Sequence, residues 1–546
     1  MTSISRRPRR VNPPSREQAG GRSVAANASI VAGAFVVSRV LGLLREVLIA
    51  RQFGTSQNYD AYVAAFKIPD FLFLVVMSGA FGAAFIPVFA GFLSRDERER
   101  AWHLSSAVIS YTVVTLVGVG LLVFVFAGPL MRYVVAPGYT PAQEHLATNL
   151  TRLLLLSPLL LGLGAASKGM LEAQDAFTVP AIAPILYNLG IIFGALFLAP
   201  SIGVYGLVVG VIAGACGHAG IQFVTLARRG MRFRPTLSTH VEGLRAVGHL
   251  MLPRLVGQAA FQVNFIVMTN FASRLPQSPV AALNYAYQLF MLPHGVLALS
   301  LSTVIFPAMA RQYELGRVRE LKQTLTSALG PLLFLTIPAS IGLFAFRVSI
   351  VQVIFQHGDF DAHSTAMVAR GLEFFAIGLV AFAVVEAVTR AFYAMHDTRT
   401  PVIAGVTAVI ANIGLSALLA PKLGHGGLAL SISLTTFLEM TILLVVLARR
   451  MGGFDSQLPR QLLKMLVAGA VLYLVSRWLA GPLAAATNPA NGHRLVTILA
   501  FGVTLAAAGA TYFVAAYYLR VPELERVLAR VRPRLPGWAA RWLRPL

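Results

Sequence analysis

Fourteen runs of about 18 to 25 predominantly apolar residues recur along the chain, each long enough to cross a hydrocarbon core of about 30 Å as a helix. They lie near residues 27–50, 61–93, 104–127, 146–167, 179–199, 203–227, 247–272, 280–309, 324–346, 371–394, 402–420, 426–448, 461–480 and 495–519. Hydrophobic residues make up 56% of the 546 positions and charged residues only 12%, which excludes an ordinary soluble protein. The sequence therefore predicts an all-α polytopic membrane protein with fourteen transmembrane helices.

The net charge of +23 would indicate nucleic-acid binding in a soluble chain, but membrane topology explains it here. Most of the 45 lysines and arginines fall in the two ends and in alternate loops, as the positive-inside rule requires. We therefore expect no nucleic-acid partner and two basic cytoplasmic tails, residues 1–26 and 521–546, that contact anionic membrane lipids. Because the first apolar run continues into a full span, we do not expect a cleaved signal peptide.

The two halves of the chain resemble each other at a fixed offset. The segments that end at Pro180 and Pro401, and those that begin at Leu198 and Leu419, are each 221 residues apart. Six spans precede the second copy, so the copies share one membrane orientation and are related by an axis along the membrane normal. The repeat predicts two six-helix lobes, 27–235 and 245–450, with the last two helices, in 460–520, outside it.

Cations inside predicted spans are the most informative functional signal. Arg39 and Arg45 lie in the first span, and Lys67 lies about two turns inside the second, which begins near Asp60. An Arg or Lys at mid-helix costs about 2.5 to 3.5 kcal/mol on insertion scales, so such residues usually face a water-filled cavity or an anion. The alternative is that Arg45 and Lys67 only extend back to the lipid headgroups. We expect the three cations to share one cavity between the lobes, with Asp60 orienting one of them.

Other polar residues in the spans leave more than one interpretation open. Arg254 could face the cavity or the headgroups, while Gln288 and His294 are expected to form interhelical hydrogen bonds. Three acids, Glu373, Glu386 and Glu439, could relay protons or could be partnered structurally. In the loop from His357 to His363 we expect a turn and a capped helix start rather than a metal site.

No motif for catalysis or cofactor binding is evident. The chain has no phosphate-cradling glycine loop and no nucleophile motif, and its single cysteine, Cys216, excludes an internal disulfide. We expect no cofactor, no metal and no enzymatic activity.

Four motifs resemble those of the MurJ (MviN) family. They are S-R-V-L-G-L-L-R-E from Ser38, D-A-Y-V-A-A-F-K-I-P from Asp60, G-A-F-G-A-A-F-I-P from Gly79, and L-P-H-G-V from Leu292. The resemblance implies a two-lobed flippase of the bacterial inner membrane, and two C-terminal helices that form a groove for the lipid tail. Its substrate would be lipid II, an undecaprenyl-diphosphate-linked MurNAc-pentapeptide-GlcNAc, and cell-wall synthesis proteins are candidate partners. It also implies that Arg39, Arg45, Asp60 and Lys67 belong to a cationic central cavity.

The chain departs from the family pattern at several positions. Phe73 and Leu74 replace an Arg-Arg pair of many relatives, and Gln288 replaces a cavity arginine. Met268 stands where some relatives have an acid for sodium, which leaves the coupling ion open. Arg254 is a candidate substitute cation, so the predicted substrate-binding set is Arg39, Arg45, Asp60, Lys67, Arg254 and Gln288.

Two other hypotheses compete with a precursor flippase. A drug or polysaccharide exporter on the same scaffold predicts twelve spans and, for a drug exporter, acidic cavity residues. A membrane enzyme or scaffold needs a catalytic residue in a sizeable external loop, and the loops here are short.

Overall fold

The computed structural model describes residues 16–80, 85–277, 279–453, 457–488 and 494–531, and within them the regular structure is helical. The first half contains α1 (Arg16–Phe53), α2 (Gln57–Ala80), α3 (Ile86–Ser94), α4 (Arg98–Pro129), α5 (Pro141–Leu154), α6 (Leu156–Glu172), α7 (Thr178–Phe193), α8 (Ala199–Ile202) and α9 (Val204–Arg228). The second contains α10 (Leu244–Ser273), α11 (Val280–His294), α12 (Ser300–Glu314), α13 (Val318–Ala345), α14 (Arg347–Phe355), α15 (Ala362–Ala394), α16 (Arg399–Leu423) and α17 (His425–Met451). The chain continues with α18 (Gln457–Ala486), α19 (Arg494–Tyr518) and α20 (Pro522–Val531), and π-helical turns follow α4, α7 and α11 at Leu130–Val135, Gly194–Leu198 and Gly295–Leu299.

The predicted membrane architecture is confirmed, although the exact number of spans stays a prediction. Eleven helices in the described part of the chain are long and apolar enough to cross a membrane, and they coincide with eleven of the fourteen predicted spans. The other three predicted spans coincide with α1, α2 and α10. Each of these helices carries ionisable residues along its length, among them the candidate cations Arg45, Lys67 and Arg254. The candidate cations of the predicted site therefore lie on α1, α2 and α10.

Backbone geometry reproduces the sequence repeat. The turns before α9 and α17 are nearly identical, with φ and ψ of 59° and −141° at Gly203 and of 61° and −143° at Gly424. Asp175 and His396 both adopt positive φ at the same offset, 56° and 59°. Because L-residues rarely adopt this conformation, its recurrence at matching positions indicates two copies of one architecture. The lobe boundaries 27–235 and 245–450 are an interpretation of this repeat.

Small residues allow the helices of each lobe to approach closely. A Cβ atom added to Gly190 of α7 would lie 2.4 Å from the Cα of Gly214 in α9. In the second lobe, a Cβ at Gly378 of α15 would lie 2.6 Å from the hydroxyl of Ser433 in α17. Such packing is typical of membrane helices, which lack a hydrophobic driving force for association in lipid.

The helices after the repeat pack on the second lobe. In α18, Gly469 faces Ile337 and Ile341 of α13, and in α19 the ring of Tyr512 lies 5.3 Å from that of Phe334. The short helix α20 then follows α19. These helices therefore lie against α13 and leave α1 and α2 to face the second lobe.

The two lobes meet at one end of the helix bundle. The Asp359 backbone N–H donates to the Arg51 carbonyl (2.8 Å), and the hydroxyl oxygens of Thr55 and Ser364 lie 2.9 Å apart. Around the α1–α2 turn the packing is tight, since a Cβ at Gly54 would lie 2.5 Å from the Asp359 carbonyl oxygen. We call this end, with the loops that hold Gly54 and Asp359, the closed face.

A second group of contacts also joins the lobes at the closed face. The Gly138 N–H donates to the Ser273 hydroxyl (3.2 Å), and the Asn270 amide donates to the Val134 carbonyl (2.7 Å). The loop between α4 and α5 is thereby fixed to the end of α10. Both lobes are therefore connected through backbone groups as well as through side chains.

Candidate functional site

A cavity of about 430 Å³ lies between the two lobes. Its lining comes from α1 and α7 of the first lobe and from α11 and α14 of the second: Phe35, Ser38, Arg39, Gly42, Leu43, Arg45, Glu46, Asn188, Gln288, Leu289, Met291, Leu292 and Phe355. A volume of this size lies in the range of small-molecule sites. Three predicted site residues, Arg39, Arg45 and Gln288, are brought together here from positions up to 249 residues apart in the sequence.

Arg45 is held in place by partners from its own lobe. Its Nη2 lies 2.5 Å from Oε1 of Glu46, and its Nη1 donates to Oδ1 of Asn188 at 3.2 Å. The Asn188 amide in turn donates to the Pro184 carbonyl in its own helix and to the Ser38 carbonyl of α1. The Arg45 side chain retains 23% exposure, so the guanidinium is both oriented and accessible to an anion. Arg45 therefore is not an isolated cation, because Glu46 offsets its charge.

Arg39 lies deeper in the cavity and extends towards the second lobe. It is exposed, and its guanidinium stacks over the Phe35 ring at 5.2 Å. The two Nη atoms lie close to Gly295, where an added Cβ would be 3.9 Å from each. At 1.5 Å per residue, Arg39 lies roughly 21 Å and Arg45 roughly 12 Å from the closed-face end of α1. The two cations are thus spread along the cavity axis.

One side of helix α2 becomes exposed with increasing distance from the closed face. From Tyr59 to Ala65 every side chain is buried, whereas Phe66, Lys67, Asp70 and Leu74, spaced at helical intervals, are wholly or partly exposed. The change indicates that one side of α2 borders open space beyond Ala65, while the helix still contacts the second lobe. Within this face, the Lys67 ammonium lies 5.8 Å from the centroid of the Phe265 ring in α10. Lys67 therefore contacts the second lobe, although it is not among the residues that line the 430 Å³ cavity.

A proline helps to shape α2 at this depth. Pro69 cannot donate to the carbonyl of Ala65, one helical turn earlier. The Thr151 hydroxyl of α5 donates to that carbonyl at 3.2 Å and satisfies it. Lys67 and Asp70 therefore lie on either side of a position where α2 depends on the neighbouring helix for its backbone hydrogen bonding.

Asp60 has a different environment from the one predicted. It is 1% exposed, and its Oδ1 accepts a 2.6 Å hydrogen bond from the Ala281 N–H in the first turn of α11. A carboxylate is favourable there because the unpaired N–H groups and the dipole of a helix start both attract negative charge. Asp60 thus makes a contact that joins the two lobes at the closed face, and its role in orienting a cavity cation stays a prediction.

Gln288 and Arg254 complete the predicted set. Gln288 lines the cavity roughly 12 Å from the start of α11, a depth similar to that of Arg45. The interhelical hydrogen bond expected for Gln288 is not found among the described residues, while His294 is buried against the Phe382 ring. Arg254 belongs to α10, but its side chain lies outside the part of the structure that is described.

Sequence reasoning missed three residues of this region. Glu46 and Asn188 hold Arg45, and Asp70 lies on the accessible face of α2 one turn after Lys67. The adjacency of Arg45 and Glu46 was visible in the sequence and could have predicted their ion pair. Asp70 was also visible as an acid within a span. Asn188 could not have been identified, because it is 143 residues from Arg45.

The other candidate clusters have structural partners. Glu373 contacts Arg370 and Arg347, at 3.0 and 3.6 Å, and Glu386 contacts Arg390 at 3.0 Å. Both acids therefore have arginine partners, as the structural interpretation requires.

The loop at His357 forms a turn and a helix cap, as predicted. Gly358 has a φ of +62°, and the Asp361 carboxylate accepts the Ser364 N–H at 2.7 Å at the start of α15. This backbone hydrogen bond also lowers the pKa of Asp361 below its ordinary value.

A buried polar network lies in the second lobe. Asn264 accepts from the Asn412 amide at 3.1 Å, and Ser431 donates to the Asn412 carbonyl oxygens of side chain and backbone. Ser416 bonds to both Asn412 and Ser431. These neutral groups satisfy one another through hydrogen bonds. Met268 follows Asn264 in α10 and is also buried.

Comparison with known proteins shows the family. The model of the family described as "Lipid II flippase MurJ" matches residues 49–490. The "Lipid II flippase MurJ" of Burkholderia cenocepacia is 32% identical over 431 residues, which cover 77% of this chain and 83% of that protein. The "Probable lipid II flippase MurJ" of Rhizobium tropici is 31% identical over 527 residues, which cover 92% of this chain and 96% of that one.

Solved structures give the same result for the fold. A structure of "Lipid II flippase MurJ, inward closed conformation" aligns with a TM-score of 0.72 at 25% identity, over 88% of this chain and 98% of that one. An inward-facing multidrug transporter of the MATE family aligns with a TM-score of 0.65 at 16% identity, over 76% of this chain and 94% of that one, which shows a shared fold alone. With a family model that spans most of its length, this multi-pass membrane protein belongs to the MurJ family of lipid II flippases.

Proposed function

We propose that this protein moves lipid II from the cytoplasmic to the outer leaflet of the bacterial inner membrane. The observation that carries the proposal is the cavity between the lobes, where Arg39 and Arg45 of the first lobe face Gln288 of the second. A diphosphate carries about two negative charges, and charge-assisted hydrogen bonds to arginine are among the stronger polar contacts in proteins. Two accessible cations at membrane depth, in a member of this family, favour a diphosphate-linked lipid as the substrate.

We propose that transport proceeds by alternating access. Positive-inside counting favours cytoplasmic termini, which would put the closed face on the periplasmic side. In this arrangement the cavity receives substrate from the cytoplasm while contacts such as Asp60–Ala281 and Thr55–Ser364 keep the outer side shut. Opening to the outside would require these contacts to break as one lobe rocks against the other.

The Arg45–Glu46 pair supports a specific role in substrate capture. Glu46 offsets the charge of Arg45 when the cavity is empty, which reduces the cost of a cation at that depth. An incoming diphosphate would compete with Glu46 for the guanidinium. The same exchange in reverse would favour release.

The remaining elements fit non-enzymatic transport. Helices α18 and α19 lie beside the second lobe, where a groove between them would take the polyprenyl tail. Transport needs no catalytic residues, because a flippase changes the position of its substrate and not its covalent bonds. Enzymes that use the precursor in cell-wall synthesis are the proposed partners, and nucleic acid is not.

Mass spectrometry of lipids that copurify with the protein tests this function. We expect undecaprenyl-diphosphate lipids with the wild type, a loss of about tenfold to a hundredfold for Arg45→Ala, from a contact worth about 1.5 to 3 kcal/mol, and a larger loss for Arg39→Ala/Arg45→Ala. Arg317→Ala, which removes an exposed cation from a loop, is the matched control. Normal complementation of a flippase-depleted cell by the double variant would contradict the proposal, and an enriched drug-like amphiphile would favour an exporter.

A further inference from the structure

Asp70 is a carboxylate that the proposed binding of a diphosphate leaves unexplained. It lies in α2, 13 residues after Gln57 and so roughly 20 Å from the closed-face end of the helix, which is well within the hydrocarbon depth. Its side chain is exposed on the same helical face as Lys67. An acid at this depth is costly, and such residues usually face a water-filled space and serve function.

The charged and polar neighbours of Asp70 come from both sides of the contact between the lobes. Its charge interacts with those of Lys67, in its own helix, and of Arg45 in α1. It also acts on Tyr187 of α7, which adjoins Asn188 in the cavity wall. On its far side, Lys67 contacts Phe265 of the second lobe. Asp70 does not line the 430 Å³ cavity, but it is exposed one helical turn from Lys67, at the contact between α2 and the second lobe.

No ion pair within 4 Å joins Asp70 to a cation among the described residues. The ammonium of Lys67, three residues earlier in the helix, lies near the Phe265 ring, and the Arg45 guanidinium forms an ion pair with Glu46. Asp70 is therefore an available anion one helical turn from Lys67, which is predicted to bind the diphosphate. Residues at i and i+3 have Cβ atoms about 5 to 6 Å apart, so a diphosphate held by Lys67 would lie next to this carboxylate.

A count of the nearby charges strengthens the case that Asp70 and the diphosphate repel each other. Of the predicted cations whose side chains are described, Arg45 is already offset by Glu46, which leaves Arg39 and Lys67 to balance a diphosphate of about two charges. Asp70 adds a further negative charge beside one of them. Counted over these described side chains, the site is one positive charge short of neutrality unless a cation enters with the substrate.

A divalent metal ion that bridges the carboxylate and the diphosphate resolves this shortage. Mg²⁺ prefers oxygen ligands and is typically bound through one or two carboxylates together with substrate phosphates, keeping several waters. The described residues contain no group of three or more His, Cys, Asp or Glu that could hold a metal without such a substrate. We propose, on the basis of the flippase function above, that Asp70 binds a divalent cation carried by the diphosphate of the substrate.

This arrangement makes metal and lipid binding interdependent. The metal would have little affinity for the empty protein, because Asp70 supplies only one carboxylate. The diphosphate would bind more tightly as its metal complex, because the metal converts the repulsion from Asp70 into a shared contact. Lys67 would contribute in either case.

Binding of undecaprenyl diphosphate to the full-length protein in nanodiscs, in excess Mg²⁺ or in excess EDTA, tests the inference. We expect Mg²⁺ to tighten wild-type binding on the order of tenfold, and Asp70→Asn to abolish most of that difference. Lys67→Met should weaken binding in both conditions and keep the Mg²⁺ effect. Asp96→Asn, which neutralises an exposed loop carboxylate, is the matched control and should behave as the wild type.

Two further measurements do not depend on one variant's folding. Asp70→Lys places a permanent cation at the same position, so its binding in EDTA should approach wild-type binding in Mg²⁺. Electron paramagnetic resonance of Mn²⁺ with the wild type should show immobilised metal only when undecaprenyl diphosphate is present. Equal wild-type affinity in Mg²⁺ and EDTA, or an unchanged metal effect in Asp70→Asn, would overturn the inference and leave the flippase function standing. A wild type that binds no diphosphate lipid in either condition would overturn the proposed function itself.

Discussion

Replacing Asp60 should open the closed face. Its Oδ1 accepts the Ala281 N–H at 2.6 Å from the other lobe, and both groups are buried. A hydrogen bond to a charged group contributes about 1.5 to 3 kcal/mol, and the charge at a helix start adds about 0.3 to 1 kcal/mol. Asp60→Ala removes both contributions, so we expect the closed state to lose about 2 to 4 kcal/mol relative to the open state. That loss shifts the ratio of the two states about 30- to 900-fold.

A milder variant separates charge from hydrogen bonding. Asp60→Asn keeps an oxygen that can accept the Ala281 N–H but loses the negative charge, so we expect a shift of about 1 kcal/mol, or roughly fivefold. The backbone carbonyl of Asp60 accepts from the Tyr139 hydroxyl, and both variants keep that contact. The two variants should therefore differ in gating more than in folding.

Cysteine crosslinking can measure the shift. The chain has one cysteine, so Cys216→Ala gives a background without thiols. Thr55→Cys and Ser364→Cys then replace hydroxyl groups that lie 2.9 Å apart across the closed face. We expect the rate of disulfide formation to fall in the order parent, Asp60→Asn, Asp60→Ala. If Asp60→Ala crosslinks as fast as the parent while remaining in the membrane, the carboxylate does not hold the lobes together.

Two more variants test the neighbouring contacts. Gly54→Ala should also weaken the closed face, because Gly54 has a φ of +52° and its new Cβ would lie 2.5 Å from the Asp359 carbonyl oxygen. We expect slower crosslinking of the same cysteine pair. Gly33→Ala, which has open space around it, is the control. Glu46→Gln should strengthen binding of undecaprenyl diphosphate several-fold, because it removes the anion that competes for Arg45; unchanged or weaker binding would indicate that Glu46 chiefly orients the guanidinium.

The apolar runs by themselves determined the class of fold. Their length and number follow from the thickness of a bilayer and from the need to satisfy backbone groups within each segment, and both requirements are local. The repeat was equally visible, because a turn such as that at Gly203 or Gly424 needs a residue that tolerates positive φ, and this requirement leaves a mark in the sequence. The same local cost of a charge in lipid marked Arg39, Arg45 and Lys67 as candidates.

The tertiary structure decided which of these residues share a site and what each one contacts. Asp60 and Lys67 lie on one continuous helix, yet Asp60 pairs with the start of α11 whereas Lys67 faces Phe265, because α2 meets a different helix of the second lobe at each of these two depths. Asn188 orients Arg45 from 143 residues away, a contact that no local pattern encodes. Hydropathy records the cost of placing a charge in a membrane. The partner that offsets this cost is set by how distant helices pack, and only the folded chain contains that information.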